Sequence, residues 1–307
     1  MKPPSTSLDT TTPLATRADA TSHSKLGDLM VLAKVRLNAL VVATTAGGYY
    51  MAAPLEIDPL ALALACGGTA LVASGAAAIN QVVERKFDRL MERTRHRPVA
   101  EGRMSVVEGL MAGSLMSIAG LAILVAFANV AAAILALVTL VTYVAIYTPL
   151  KRVTSLSTVV GAVPGALPPI IGWAAAGGSL ATIAPWSLFL IMFFWQLPHF
   201  LAIAWIYRED YARAGMPMLA VIDRHGAMTG AQALLWAAAL IPFSQLPFLL
   251  HLATSSYAIG ALLLGLGQFV IAFKFARHRS VANARTLFLA SITYLPLLWA
   301  LMCIGRR

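Results

Sequence analysis

Charge is scarce in this chain. Of its 307 residues only 12% are charged and 59% are hydrophobic, with a mean hydropathy of +0.76. A soluble domain carries roughly 25% charged residues, so a soluble globular enzyme and a disordered protein are both excluded. Cysteine is nearly absent. Cys66 and Cys303 lie far apart in apolar runs, without a partner at metal or redox spacing, which excludes a disulfide scaffold and leaves both as inert packing residues. Acids are fewer than bases, 13 against 23, giving a net charge of +10. No separate soluble basic segment carries that excess, so nucleic acid is not the expected partner. What remains is an all-α polytopic membrane protein, one bundle of spanning helices.

The most informative absence is positional. Lys and Arg are missing from 37–84, 104–150, 153–207 and 225–273. A spanning helix takes about 20 apolar residues, so each gap holds a helical hairpin, and the apolar run 286–305 adds a last span. Nine transmembrane helices are expected, at roughly 27–50, 59–80, 105–126, 129–149, 155–175, 184–206, 229–250, 255–275 and 284–304. Basic residues gather in alternate connections: Arg85 to Arg103, Lys151 and Arg152, Arg208 to Arg224, and Lys274 to Arg279. The positive-inside rule places these connections and the N-terminus in the cytoplasm. The C-terminus then lies in the periplasm, where Arg306 and Arg307 are a small violation. Residues 1–25 are polar and Ser/Thr-rich, without the apolar stretch of a signal peptide. They read as a disordered cytoplasmic tail ahead of a transmembrane domain over 26–307, in a bacterial inner membrane.

The second span ends in Asn80, Glu84 and Asp88, one residue every four. Such steps drift only about 40° and climb about 6 Å each on a helix, so the three form an oxygen-rich stripe at the membrane interface. Two carboxylates and an amide oxygen are hard ligands suited to Mg²⁺, which binds through one or two carboxylates alongside substrate phosphates. A solvated helix end with surface ion pairs accounts for the stripe equally well. The tract Arg93-Thr94-Arg95-His96-Arg97-Pro98 adds guanidinium groups, which grip phosphate oxygens bidentately. Acids for a metal beside arginines for phosphate point to a diphosphate site.

At these residues the chain resembles the UbiA superfamily of intramembrane prenyltransferases, through Asn80-xxx-Glu84-xxx-Asp88 followed by Arg93-Thr94-xx-Arg97-Pro98. Three further segments resemble the branch that farnesylates heme. They are Tyr147-Thr148-Pro149-Leu150-Lys151-Arg152, the proline-rich 161–169, and Trp195-Gln196-Leu197-Pro198-His199-Phe200 running into Tyr207 to Met218. The likeness spans nearly everything after residue 25. It implies a UbiA-type bundle that moves the farnesyl group of farnesyl diphosphate to a vinyl group of heme b, giving heme O. Asn80, Glu84, Asp88 and Asp210 are the implied catalytic, Mg²⁺-holding set, with Arg93, Arg97, Lys151, Arg152 and Tyr147 on the diphosphate. His199, Trp195 and Gln196 would stand on the heme side, and a heme A synthase or a terminal oxidase would act downstream. Two departures stand out: Glu84 replaces a more usual aspartate, and Ala214 stands where other branches carry a second acid four residues after Asp210.

Other assignments compete. A histidine in an apolar span is often packed and hydrogen-bonded to a neighbouring helix, which fits His199 as well. Pro164, Pro168 and Pro169 serve either a widened cavity wall or a plain kink. Tyr147, Tyr207 and Tyr211 suit an interfacial aromatic belt. The connections 89–103 and 207–224 are expected to close over the bound diphosphate. A quinone precursor such as 4-hydroxybenzoate is an alternative acceptor, and a transporter of an anionic lipid or metabolite an alternative class.

Overall fold

The computed structural model describes residues 24–53 and 56–307. Most of the expected 1–25 tail lies outside the described residues. Ser24 and Lys25 do not: Ser24 caps the first helix by accepting from the Gly27 N–H. In chain order the helices are α1 (Lys25–Leu32), α2 (Val35–Ala52), α3 (Pro59–Asp88), α4 (Pro98–Glu101), α5 (Val106–Phe127), α6 (Val130–Val141), α7 (Thr148–Leu150), α8 (Ser157–Ala166), α9 (Pro168–Ala175) and α10 (Ile183–Ile206). Then follow α11 (Arg208–Arg213), α12 (Leu219–Ile222), α13 (Ala227–Ser244), α14 (Leu246–Leu249), α15 (Ser255–Arg277) and α16 (Val281–Ile304).

Among the described residues, eight helical stretches are long and apolar enough to cross a membrane, and the bent pair α1–α2 makes a ninth. The expected nine spans therefore stand, with one correction. The first is not continuous over 27–50 but turns by 47° between α1 and α2. Lys34 makes that turn in the left-handed region, at φ 49°, which an L-residue rarely occupies and which costs roughly 1–3 kcal/mol. Side-chain amides donate to the carbonyls freed there. Gln81 donates to the Val31 and Leu32 oxygens at 3.1 and 2.8 Å, and Asn38 donates to the Ala33 oxygen at 2.7 Å.

Small residues let the helices touch backbone to backbone, the usual route to tight packing in lipid. On α3, a side chain at Gly75 would meet the Gly113 carbonyl and Ser117 of α5. Gly48 of α2 and Gly172 of α9 are closer still, each pressed on a carbonyl of the other helix, at Pro169 and Thr45. The proline-rich stretch thus packs directly on α2. Pro164 lies inside α8, and Pro168 and Pro169 open α9 after a break at Leu167.

Candidate active site

The basic residues that bracket the hairpins come together at one end of the bundle, where α3 ends. Its last turns carry Asn80, Glu84 and Asp88, all at most 3% exposed. They line a cleft with Lys34, Met91, Arg93, Arg97, Lys151, Tyr211 and Met216. Four cations thus face two carboxylates, an excess of two positive charges before any metal arrives.

Asn80 is oriented by its neighbour. The Thr148 hydroxyl donates to the Tyr143 carbonyl at 2.8 Å, so its oxygen is left to accept from the Asn80 amide nitrogen at 2.9 Å. The amide oxygen Oδ1 is buried without a partner, a costly state unless a ligand meets it. Thr148 can do this because Thr142–Tyr147 forms a π-turn between α6 and α7. Such turns concentrate at functional sites.

Both cleft carboxylates are already engaged. Arg97 donates from a single nitrogen, Nη1, to both Asp88 oxygens at 2.9 and 2.8 Å, a charge-assisted contact. Lys151 reaches Glu84 at 2.8 Å and lies 4.5 Å from the centre of the Tyr147 ring. Burial opposes the charge on Lys151, but Tyr147 and Glu84 beside it push its pKa above the ordinary lysine range. Lys34 and Arg93 make no ion pair among the described residues. Arg93 is held 5.2 Å from the centre of the Tyr207 ring.

Several expected participants lie elsewhere. Arg152 donates to the Val83 carbonyl at 3.0 Å and stacks on Phe87, outside the cleft lining. Tyr147 packs its ring on Gly161 and likewise stays behind the lining. Asp210 does not line the cleft either. Its carboxylate accepts the Glu92 and Arg93 backbone N–H groups at 3.3 and 3.2 Å and pairs with Arg213. Among the described residues no three acids, histidines or cysteines gather as a ready metal cage. Asn80 Oδ1, Glu84 and Asp88 nonetheless fit Mg²⁺ by donor chemistry, since that ion takes few carboxylates and completes its shell with water and phosphate.

Lys34 is the participant that sequence reasoning missed. Its signal was present, as a lysine inside an expected span, where ionisable residues are functional by default. Thr148 and Gln81 carried no comparable signal.

The heme-side candidates form a separate group two to three helical turns, roughly 10–16 Å, before the end of α10. Gln196 is buried, and its amide nitrogen is spent on the Ala162 and Met192 carbonyls at 2.9 and 3.0 Å. Trp195 donates to the Ser291 carbonyl at 2.7 Å and stacks on His199. The Ser291 hydroxyl lies 2.6 Å from the Phe288 carbonyl and 2.7 Å from His199 Nδ1. With its hydrogen on the carbonyl it accepts from Nδ1–H, the tautomer that leaves Nε2 with its lone pair. An imidazole fixed in this way is arranged as metal-binding histidines are.

Residues 40–295 match the UbiA prenyltransferase family. The chain is 43% identical over 288 residues to a protoheme IX farnesyltransferase of Solibacter usitatus, covering 91% of this chain and 98% of that one. It is 42% identical to the protoheme IX farnesyltransferase of Koribacter versatilis, with 92% and 94% covered. Among solved structures, a digeranylgeranylglyceryl phosphate synthase superposes with a TM-score of 0.76 at 17% identity, over 91% of this chain and 98% of that one. A UbiA homolog from Archaeoglobus fulgidus bound to DMAPP and Mg²⁺ superposes with a TM-score of 0.66 at 14% identity, over 90% and 99%. The helical bundle, the acidic row on α3 and the family match over most of the chain agree: the protein belongs to the UbiA prenyltransferase family.

Proposed function

We propose that the protein is a protoheme IX farnesyltransferase, which transfers the farnesyl group of farnesyl diphosphate to a vinyl group of heme b and so makes heme O. The observation that carries the reading is the cleft at the end of α3, where four cations surround two carboxylates and one orphaned amide oxygen. That arrangement suits a triply charged diphosphate on a lipid tail. The names of the relatives supply the acceptor.

Asn80, Glu84 and Asp88 would hold Mg²⁺. When bound, the ion would neutralise charge on the departing diphosphate. Lys34 and Arg93, without carboxylate partners among the described residues, meet the phosphate oxygens first. Arg97 and Lys151 can turn from Asp88 and Glu84 to phosphate once those carboxylates are otherwise occupied. As the allylic C–O bond breaks, its electron pair stays on the diphosphate. Cations fixed at that point favour the transition state over the bound substrate. The farnesyl carbon bonds to the vinyl group, and water adds to the resulting cation with loss of a proton, giving a hydroxyethylfarnesyl side chain. His199, with Nε2 available, would meet the heme iron, while Trp195 and Gln196 hold the helix that carries it.

The basic end faces the cytoplasm of a bacterium, the C-terminus lies in the periplasm, and the bundle sits in the inner membrane. Heme A synthase or a terminal oxidase would take the product. Purified protein incubated with heme b, farnesyl diphosphate and Mg²⁺ should yield heme O by mass, while Asp88→Ala, still inserted in the membrane, should yield none. Farnesylation of 4-hydroxybenzoate instead would transfer the assignment to quinone synthesis. Absence of Mg²⁺-dependent diphosphate release would favour a transporter.

A further inference from the structure

We infer that Asp210 is a positioning residue that pins two connecting segments together over the cleft, rather than a ligand of the metal. The inference rests on the prenyltransferase reading and refines it. Asp210 lies in α11 and is 7% exposed. Its two oxygens accept the backbone N–H groups of Glu92 and Arg93, and Arg213, one turn along, pairs with Oδ1. Consecutive backbone amides turned toward one point form an anion-binding concavity, and here the anion is the protein's own carboxylate. Among the described residues these are the only hydrogen bonds between 89–103 and 207–224.

The segment so held carries Arg93 and Arg97, both in the cleft lining. The segment that holds it contributes Tyr211 and Met216 to the same lining. Beneath the pin, Met91 packs with Ala214, Met216 and Met218 in one apolar cluster. Asp210 thus joins two halves of a cover whose inner surface is the phosphate-facing wall. A charge-assisted hydrogen bond is roughly twice as strong as a neutral one, which suits a carboxylate in this place. The absence of an acid at position 214 is consistent with the assignment: Ala214 is buried in the apolar cluster under the cover.

The test compares Asp210→Asn with Asp88→Asn in detergent. It reads Mn²⁺ affinity in the presence of inorganic pyrophosphate by electron paramagnetic resonance, and amide hydrogen exchange across 89–103. Asp210→Asn is expected to keep Mn²⁺ affinity within about twofold, to speed exchange at Glu92 and Arg93 about tenfold, and to raise KM for farnesyl diphosphate more than it lowers kcat. Asp88→Asn is expected to lose Mn²⁺ affinity tenfold or more. Loss of Mn²⁺ affinity in Asp210→Asn equal to that in Asp88→Asn, or unchanged exchange at the two amides, overturns the assignment. Should Asp210→Asn not fold, the unmodified protein decides: saturating Mn²⁺ and pyrophosphate should leave both amides protected, and their release would mean that the carboxylate had moved to the metal. A protein that binds no Mn²⁺ with pyrophosphate at all, yet keeps these amides protected, would refute the prenyltransferase reading and leave the pin intact.

Discussion

Lys34 holds a strained backbone conformation, faces the cleft and has no acidic partner among the described residues. Strain of this kind persists only where the surroundings enforce it, and here Gln81, Asn38 and the Asp28–Arg103 pair do so. Lys34→Met should raise KM for farnesyl diphosphate by about tenfold, roughly 1.4 kcal/mol of lost binding, and leave KM for heme unchanged; steady-state kinetics with each substrate varied in turn would show it. Equal effects on both substrates would refute the role. At His199 the tautomer makes the prediction. His199→Ala should abolish the Soret shift seen on adding heme b, whereas Ser291→Ala should weaken it by freeing the ring. An unchanged spectrum in His199→Ala would reduce the residue to helix packing.

At the scale of helices, the sequence shows which small residues α3 carries but not what they pack against. Spacing along one helix states which residues share a face, whereas the neighbour depends on how all the helices assemble. Gly172 illustrates the point. Nothing in its local sequence marks it, yet any side chain there would strike the Thr45 carbonyl of α2. Gly172→Val should lower the unfolding temperature in detergent by several degrees or prevent folding, since overpacking costs roughly 1–3 kcal/mol even where neighbours are flexible side chains, and here the neighbour is backbone. A variant that melts with the parent would show that α2 and α9 are not pressed together. The π-turn at Thr142–Tyr147 was equally hidden, because the identity of its residues is that of an ordinary apolar span.

Across the whole molecule, the far end is tied by its last residues. Arg306, a violation of the charge rule by sequence, donates to the Ala53 carbonyl and lies 4.7 Å from the centre of the Tyr50 ring. The Thr254 N–H donates to the Gly305 carbonyl at 2.8 Å, and that of Arg307 to the Leu252 carbonyl at 3.1 Å. Arg306→Ala should therefore loosen α2 from the α14–α15 turn and speed proteolysis at the far end without altering metal affinity at the cleft. Resistance equal to the parent would assign Arg306 to charge alone.

The sequence by itself determined the class of the protein, the number of spans and the acidic row, because the gaps between cations and a four-residue repeat are local facts that the lipid solvent turns into helices. It also carried the resemblance that led to the family. The tertiary structure alone decided which charges meet. It paired Arg97 with Asp88 and Lys151 with Glu84, left Arg152 and Asp210 outside the cleft lining, and brought in Lys34 from the α1–α2 turn more than forty residues distant. Long basic side chains reach any acid within several ångströms, so their partners follow from where helix ends converge in space, and spacing along the chain contains no record of that.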